Sequence, residues 1–184
     1  TTSSITPPLR VFCYGDSLTA GTAPPLFELY PYAPHLERAV NAARSSSSSP
    51  VQIRWRGLPG WTSSYMKEDI DDSTIGLRST ILKISNPSIS LVVLLAGTND
   101  LAYASKASDI TDVLIDMHNM CLEQGVKRTI AVGIPQSAWQ NQNLEVKNMV
   151  KEVNASLESY CKETQATRGE KGNYATFCPF PFEY

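Results

Sequence analysis

Histidine is scarce in this sequence of 184 residues: only His35 and His118 occur, and neither completes a metal-ligand pattern. The four cysteines, at 13, 121, 161 and 178, include no Cys-x-x-Cys and are too few for a disulfide scaffold. Long apolar runs are missing too. The longest, Leu91 to Ala96, falls far short of the ~20 residues needed to cross a bilayer, so no membrane span is expected. Sixteen Lys and Arg stand against 18 Asp and Glu, a formal net charge of −2, with no basic patch that would track a phosphate backbone. Nucleic acid is therefore not expected as a partner. Neither Gly-x-x-x-x-Gly-Lys-Ser/Thr nor Gly-x-Gly-x-x-Gly occurs, so a nucleotide or flavin site lacks a motif, and no cofactor is expected.

What is present is globular. Hydrophobic residues make up 42% and charged residues 18%, which suits one domain with a sizeable core and argues against disorder. No internal repeat or second domain is visible, so residues 1–184 are read as a single domain. Thr1 to Pro8 reads as a loose arm, and the sequence starts without methionine. Phe180-Pro181-Phe182-Glu183-Tyr184 reads as an interrupted stretch. The expectation is a domain truncated at its C-terminus, with a protein partner able to cover the apolar surface left there. The compartment stays open, with a lean to an intracellular chain or one whose leader has been removed. Asn154-Ala155-Ser156 is a glycosylation sequon, but it falls inside a predicted helix and is read as chance.

Along the chain, Leu9 to Tyr14 predicts a buried strand. The Pro24-Pro25 pair keeps the segment up to Tyr32 in loop or short turn. A helix follows from Pro34, with Leu36, Ala39, Val40 and Ala43 at helical spacing. Ser45 to Ser49 reads as a surface loop. Val51, Ile53 and Trp55 alternate with polar residues, the mark of a half-buried strand near a sheet edge. Thr62, Ser63 or Ser64 could cap a helix carrying Tyr65, Met66 and Ile70. A second helical stretch is expected from Ser73 to Ser85, ended by Asn86-Pro87. Ile89 to Leu95 is apolar but for Ser90 and predicts a central strand covered on both faces. Ser108 is expected to cap a helix ending at Gly125, with Ile110, Val113, Leu114, Met117 and Cys121 on one stripe. Strands at Arg128–Ile134 and Tyr174–Cys178 flank the most regular helix, Leu144 to Tyr160.

Strands alternating with helices imply an α/β layer fold with a parallel sheet, and five strands favour the order 2-1-3-4-5. That order puts a ligand crevice at the carboxyl ends of the first and third strands. It also sets Cys13 and Cys178 three strand spacings apart, roughly 14 Å, too far for a disulfide. Free thiols are the default, and a Cys161–Cys178 pair stays open.

The chemistry centres on Tyr14-Gly15-Asp16-Ser17-Leu18-Thr19-Ala20-Gly21, where a serine between two glycines follows the first strand. Glycine permits a tight turn that leaves the hydroxyl exposed, as a nucleophile requires; a serine that only caps the next helical turn fits the same spacing. Ser17 follows the first strand and Asn99 the third, so the predicted order faces them across the crevice.

Gly15-Asp16-Ser17-Leu18, Gly60, and Gly97-Thr98-Asn99-Asp100 follow three successive strands, and together they resemble the first three sequence blocks of the SGNH (GDSL-type) hydrolases. The resemblance implies a three-layer flavodoxin-like fold and hydrolysis of small esters or acetyl groups through an acyl-serine. Ser17 would be the nucleophile. Its N–H, the Gly60 N–H and the Asn99 amide would form an oxyanion hole, with Asp16 and Asp100 orienting the turns. The resemblance also implies an Asp-x-x-His block after the fifth strand, and none occurs in the 184 residues. A serine without an adjacent base is a poor nucleophile, so the chain as it stands is expected to be inactive or nearly so. His118, on the helix after the third strand, is expected at the surface or half-buried. Neither it nor His35 is a candidate base. The alternative is a non-catalytic SGNH-like binding or structural subunit. Trp61, Leu101 and Tyr103, beside the motif loops, are candidates to line an acyl or sugar pocket.

Overall fold

In the computed structural model of the chain, residues 7–23, 25, 28–45, 48–84, 88–169 and 172–181 are described. Five strands form a parallel sheet: β1 (Leu9–Gly15), β2 (Val51–Gly57), β3 (Ile89–Leu95), β4 (Arg128–Val132) and β5 (Tyr174–Cys178). Their order is β2-β1-β3-β4-β5, the one expected of five strands alternating with helices. Strand β3, apolar but for Ser90, lies at the centre, and the alternating strand β2 lies at an edge.

The helices are α1 (Ser17–Ala20), α2 (Ala33–Ala43), α3 (Ser63–Glu68), α4 (Leu77–Lys83), α5 (Ala107–Glu123), α6 (Ala138–Gln142) and α7 (Leu144–Arg168). Phe12, Tyr14, Val92 and Leu94 face one side of the sheet and pack with Met66 of α3, Leu77 and Ile81 of α4, Ile110 and Met117 of α5, and Val150 and Val153 of α7. Val11, Cys13, Val51, Ile53 and Val93 face the other side, where Ala33 and Val40 of α2 cover them. Among the described residues, α2 is the only helix in that second cluster. The same face continues over β3 and β4 as Leu91, Ile130 and Val132, which are only half-buried.

Helix α2 differs from its predicted stripe. Leu36, Ala39 and Ala43 are exposed, because the helix meets β2 through polar groups. The Glu37 carboxylate accepts from Ile53 N–H at 2.6 Å. The Asn41 amide pairs with both the N–H and the C=O of Val51, each at 2.8 Å. An edge strand presents a row of unpaired backbone groups, and these two side chains satisfy part of that row.

Other boundaries shift for local reasons. Helix α4 starts only after Gly76, its N-cap, so 73–75 are turn, and Asn86-Pro87 lies outside the described residues. Asp109, not Ser108, closes the start of α5: its carboxylate accepts from the N–H groups of Ser105 and Lys106 at 3.1 Å each. Helix α7 runs on to Arg168, adding Cys161 and Thr164 to its buried face. Asn154 is committed to packing, because its amide bonds the N–H and C=O of Ile134 at 2.8 and 3.0 Å. Cys13, Cys121 and Cys161 are buried free thiols, and Cys178 is an exposed one. No described helix is long and apolar enough to cross a membrane.

Candidate active site

At the carboxyl end of the sheet, Gly57, Gly15 and Leu95 stand side by side in register on β2, β1 and β3. Ser17 lies two residues beyond this rung, Gly60 three and Asn99 four. The rung admits no bulk, since a Cβ on Gly15 would sit 1.9 Å from the Leu95 carbonyl oxygen. The turns are also tied across strands: Asp16 N–H donates to Leu95 C=O at 3.2 Å, and Leu58 N–H to Gly15 C=O at 2.8 Å. The parallel pairing thus delivers the first, second and third motif loops to one edge.

Ser17 opens α1, a single helical turn. The Asp16 carboxylate caps that turn through Leu18 N–H at 2.9 Å, and Gly21 closes it at φ 67°. The Ser17 side chain is partly exposed and makes no hydrogen bond among the described residues. Gly60 is exposed at φ 81°, where a side chain would strain the backbone, and no atom lies within 4 Å of a Cβ there. Its N–H lies in a turn that Trp61 N–H closes on Leu58 C=O at 3.1 Å.

Asn99 starts the 3₁₀ turn Asn99–Ala102 and donates one amide hydrogen to Trp61 C=O at 2.9 Å. A carboxamide has two such hydrogens, so the second is left for another acceptor. The neighbouring Asp100 supplies a link that sequence reading misses. Its buried carboxylate takes the Ser63 N–H on both oxygens, at 3.0 and 2.9 Å, and the Ser63 hydroxyl at 2.5 Å. Ser63 lies 37 residues away in sequence, in the first turn of α3, behind Gly60 and Trp61. The third motif loop is therefore clamped to the second by the Asn99–Trp61 bond and by the Asp100–Ser63 bonds.

Asp16 is fully buried, and its Oδ2 has no hydrogen-bond partner among the described residues. Burial pushes its pKa from 3.8 up to about 6; the Leu18 N–H works against the rise, and the nearby Asp100 adds to it. A raised acid binds its proton more tightly when folded. The stability linked to Asp16 is thus present below pH 3.8 and lost as the pH rises through about 6. At about 1.4 kcal/mol per pKa unit, the loss is on the order of 3 kcal/mol. Urea unfolding between pH 4 and 7 should show that decline, and Asp16→Asn should flatten it. Equal pH slopes for the two proteins would refute the assignment.

The two histidines lie elsewhere. His118 is buried under the sheet rather than at the surface or half-buried, and its Nδ1 meets the Thr129 hydroxyl of β4 at 2.9 Å. Burial pulls its pKa down to about 3, which keeps it neutral. His35 is exposed in the first turn of α2, with Nδ1 3.0 Å from Arg38. Neither shares a hydrogen bond with Ser17. No group of three or more His, Cys, Asp or Glu able to hold a metal occurs among the described residues.

Beside Gly60 opens a cleft of about 440 Å³, lined by residues that include Thr62, Ser64, Tyr65, Tyr103, Asp109 and Ile110. A second hollow shares Gly60 and Tyr65 and adds Pro59, Trp61 and Asp69. Trp61 and Tyr103 thus line these openings, whereas Leu101 is 5% exposed and belongs to the core.

Residues 13–168 match the GDSL-like lipase/acylhydrolase family, a span that holds all three motif loops. The chain belongs to that family. No curated protein sequence matches it. Solved structures share its fold at low identity. AlinE4, an SGNH-hydrolase family esterase, is 17% identical with a TM-score of 0.64, over 95% of this chain and 77% of its own. Est24, a carbohydrate acetylesterase from Sinorhizobium meliloti, is 19% identical with a TM-score of 0.63, over 93% of this chain and 83% of its own. A GDSL-like lipase from Bacteroides thetaiotaomicron is 19% identical with a TM-score of 0.59, over 92% of this chain and 67% of its own. The family is one of GDSL-like lipases and acylhydrolases, and AlinE4 shares the fold of this chain over most of its length.

Proposed function

We propose that this domain is a serine ester hydrolase for small esters, with Ser17 as nucleophile and the N–H groups of Ser17 and Gly60 and the Asn99 amide as oxyanion donors. The observation that carries this reading is the clamp that brings the Gly60 and Asn99 loops to the same sheet edge as Ser17. In the first step the Ser17 oxygen attacks the ester carbonyl carbon and its proton passes to a base. The carbon–oxygen bond to the alcohol then breaks, leaving an acyl-serine that water hydrolyses. The carbonyl oxygen gains charge at each tetrahedral stage, which is where fixed donors act.

Neither histidine of the chain is hydrogen-bonded to Ser17, and no base is hydrogen-bonded to the Ser17 hydroxyl among the described residues. Loss of the histidine in a comparable serine hydrolase costs ~10⁶ in kcat. These 184 residues by themselves should therefore react slowly with a fluorophosphonate, and added imidazole should accelerate the reaction. Intact mass followed by peptide mapping should place the adduct on Ser17, and Ser17→Ala should remove it. An adduct that survives Ser17→Ala would refute the assignment. Complete inertness, with imidazole as well, would favour the second reading, a non-catalytic binding subunit.

A further inference from the structure

Two hollows meet at Gly60. The larger one mixes apolar surface from Ala104, Ile110 and the tyrosine rings with hydroxyls, carboxylates and the Gly60 backbone. No Lys, Arg or His lines either hollow. In the smaller one, Trp61 and Tyr65 meet nearly edge to face, with centroids 6.3 Å apart and planes at 73°, and form two walls of a corner. Asp69 stands at the same hollow, exposed and without a cation at salt-bridge distance among the described residues. Across the larger hollow, Asp109 is 4.0 Å from the exposed Lys106, and the Asp100 carboxylate is taken up by Ser63. Tyr65, 57% exposed, is shared by both hollows, and Tyr103 is 80% exposed at the rim of the larger one.

Aromatic faces carry negative charge density and attract a cation without demanding hydrogen bonds from it. A quaternary ammonium, which cannot donate any, is the group such a corner suits best. A carboxylate or phosphate would instead meet the like charge of Asp69 and the negative ring faces.

We infer that the corner of Trp61 and Tyr65, with Asp69 beside it, takes the quaternary ammonium of a cationic ester whose carbonyl lies at Gly60, a choline-type ester. This deepens the esterase reading and rests on it. The cation would sit on the alcohol side, a short carbon linker from the ester oxygen. The alcohol leaving group would keep its charge in the corner while the acyl group stays on Ser17.

The test measures binding apart from turnover. Ser17→Ala is titrated with acetylcholine and with 3,3-dimethylbutyl acetate, its uncharged isostere, and followed by ligand-observed NMR. Acetylcholine should bind about tenfold more tightly than the isostere, a preference that added salt narrows. Tyr65→Leu and Asp69→Asn, both at exposed positions, should each cut the ratio of the two affinities by roughly threefold or more. Equal affinity for the two esters, a preference for the isostere, or no binding of either would overturn the inference. Fluorophosphonate labelling of the chain with Ser17 intact reports separately on the hydrolase reading, so either can fail alone.

Discussion

Asn99→Ala is expected to slow acylation of Ser17 by about 10²–10³, the usual cost of one oxyanion donor. The effect should fall on the rate and not on folding, because Asn99 is half-buried and its one side-chain bond among the described residues goes to the Trp61 carbonyl. Trp61 is only partly buried, so a water can take the amide's place on that carbonyl. Fluorophosphonate labelling kinetics, followed by mass with imidazole present in both proteins, would measure the ratio. Asn99→Asp makes a stricter comparison, because it keeps the shape and replaces the donor by an acceptor. It should be at least as slow as alanine. A variant that labels at the parent rate would remove Asn99 from the site.

Asp100→Ala should have the largest effect on stability. Asp100 and Ser63 are both buried, and the carboxylate accepts three hydrogen bonds from that one residue. Deleting it leaves the buried Ser63 N–H and hydroxyl without their acceptor, a loss of about 3 kcal/mol. In a domain of this size that amounts to a fall in Tm of roughly 6–12 °C. Ser63→Ala, which keeps the N–H bonds and loses only the hydroxyl, should cost about 1 kcal/mol. The order of the two variants is the check: equal losses would mean that the backbone bonds carry nothing. Because the same clamp positions Asn99 and Gly60, Asp100→Ala should also slow labelling of whatever fraction stays folded.

The sheet was legible because its strands differ in pattern for a physical reason. A run such as Ile89–Leu95, apolar but for Ser90, needs cover on both faces, and an alternating one such as Val51–Trp55 needs it on one. Strand order then places the loops, and the motifs place Ser17, Gly60 and Asn99 on those loops. Contacts between side chains distant in sequence are another matter. Nothing local marks Ser63 as the partner of Asp100, or Glu37 and Asn41 as partners of an edge strand. Periodicity assigned α2 an apolar contact face, whereas the free edge of β2 drew its polar residues inward. His118 was misplaced for a related reason. A lone imidazole suits a dry core once Thr129 supplies a hydroxyl for it, and that hydroxyl comes from a different element. The short helix α6 carries too few residues to show a period.

The central claim is that one carbonyl oxygen can be reached at once by the backbone amides of Ser17 and Gly60 and by the free hydrogen of the Asn99 amide. A crystal structure of the Ser17 phosphonyl adduct tests it directly, because the phosphoryl oxygen stands where the oxyanion would. The predicted result is that oxygen within hydrogen-bond distance, about 2.7–3.1 Å, of all three nitrogens. A phosphoryl oxygen turned to solvent, with Gly60 N and Asn99 Nδ2 bonded elsewhere, would contradict the account.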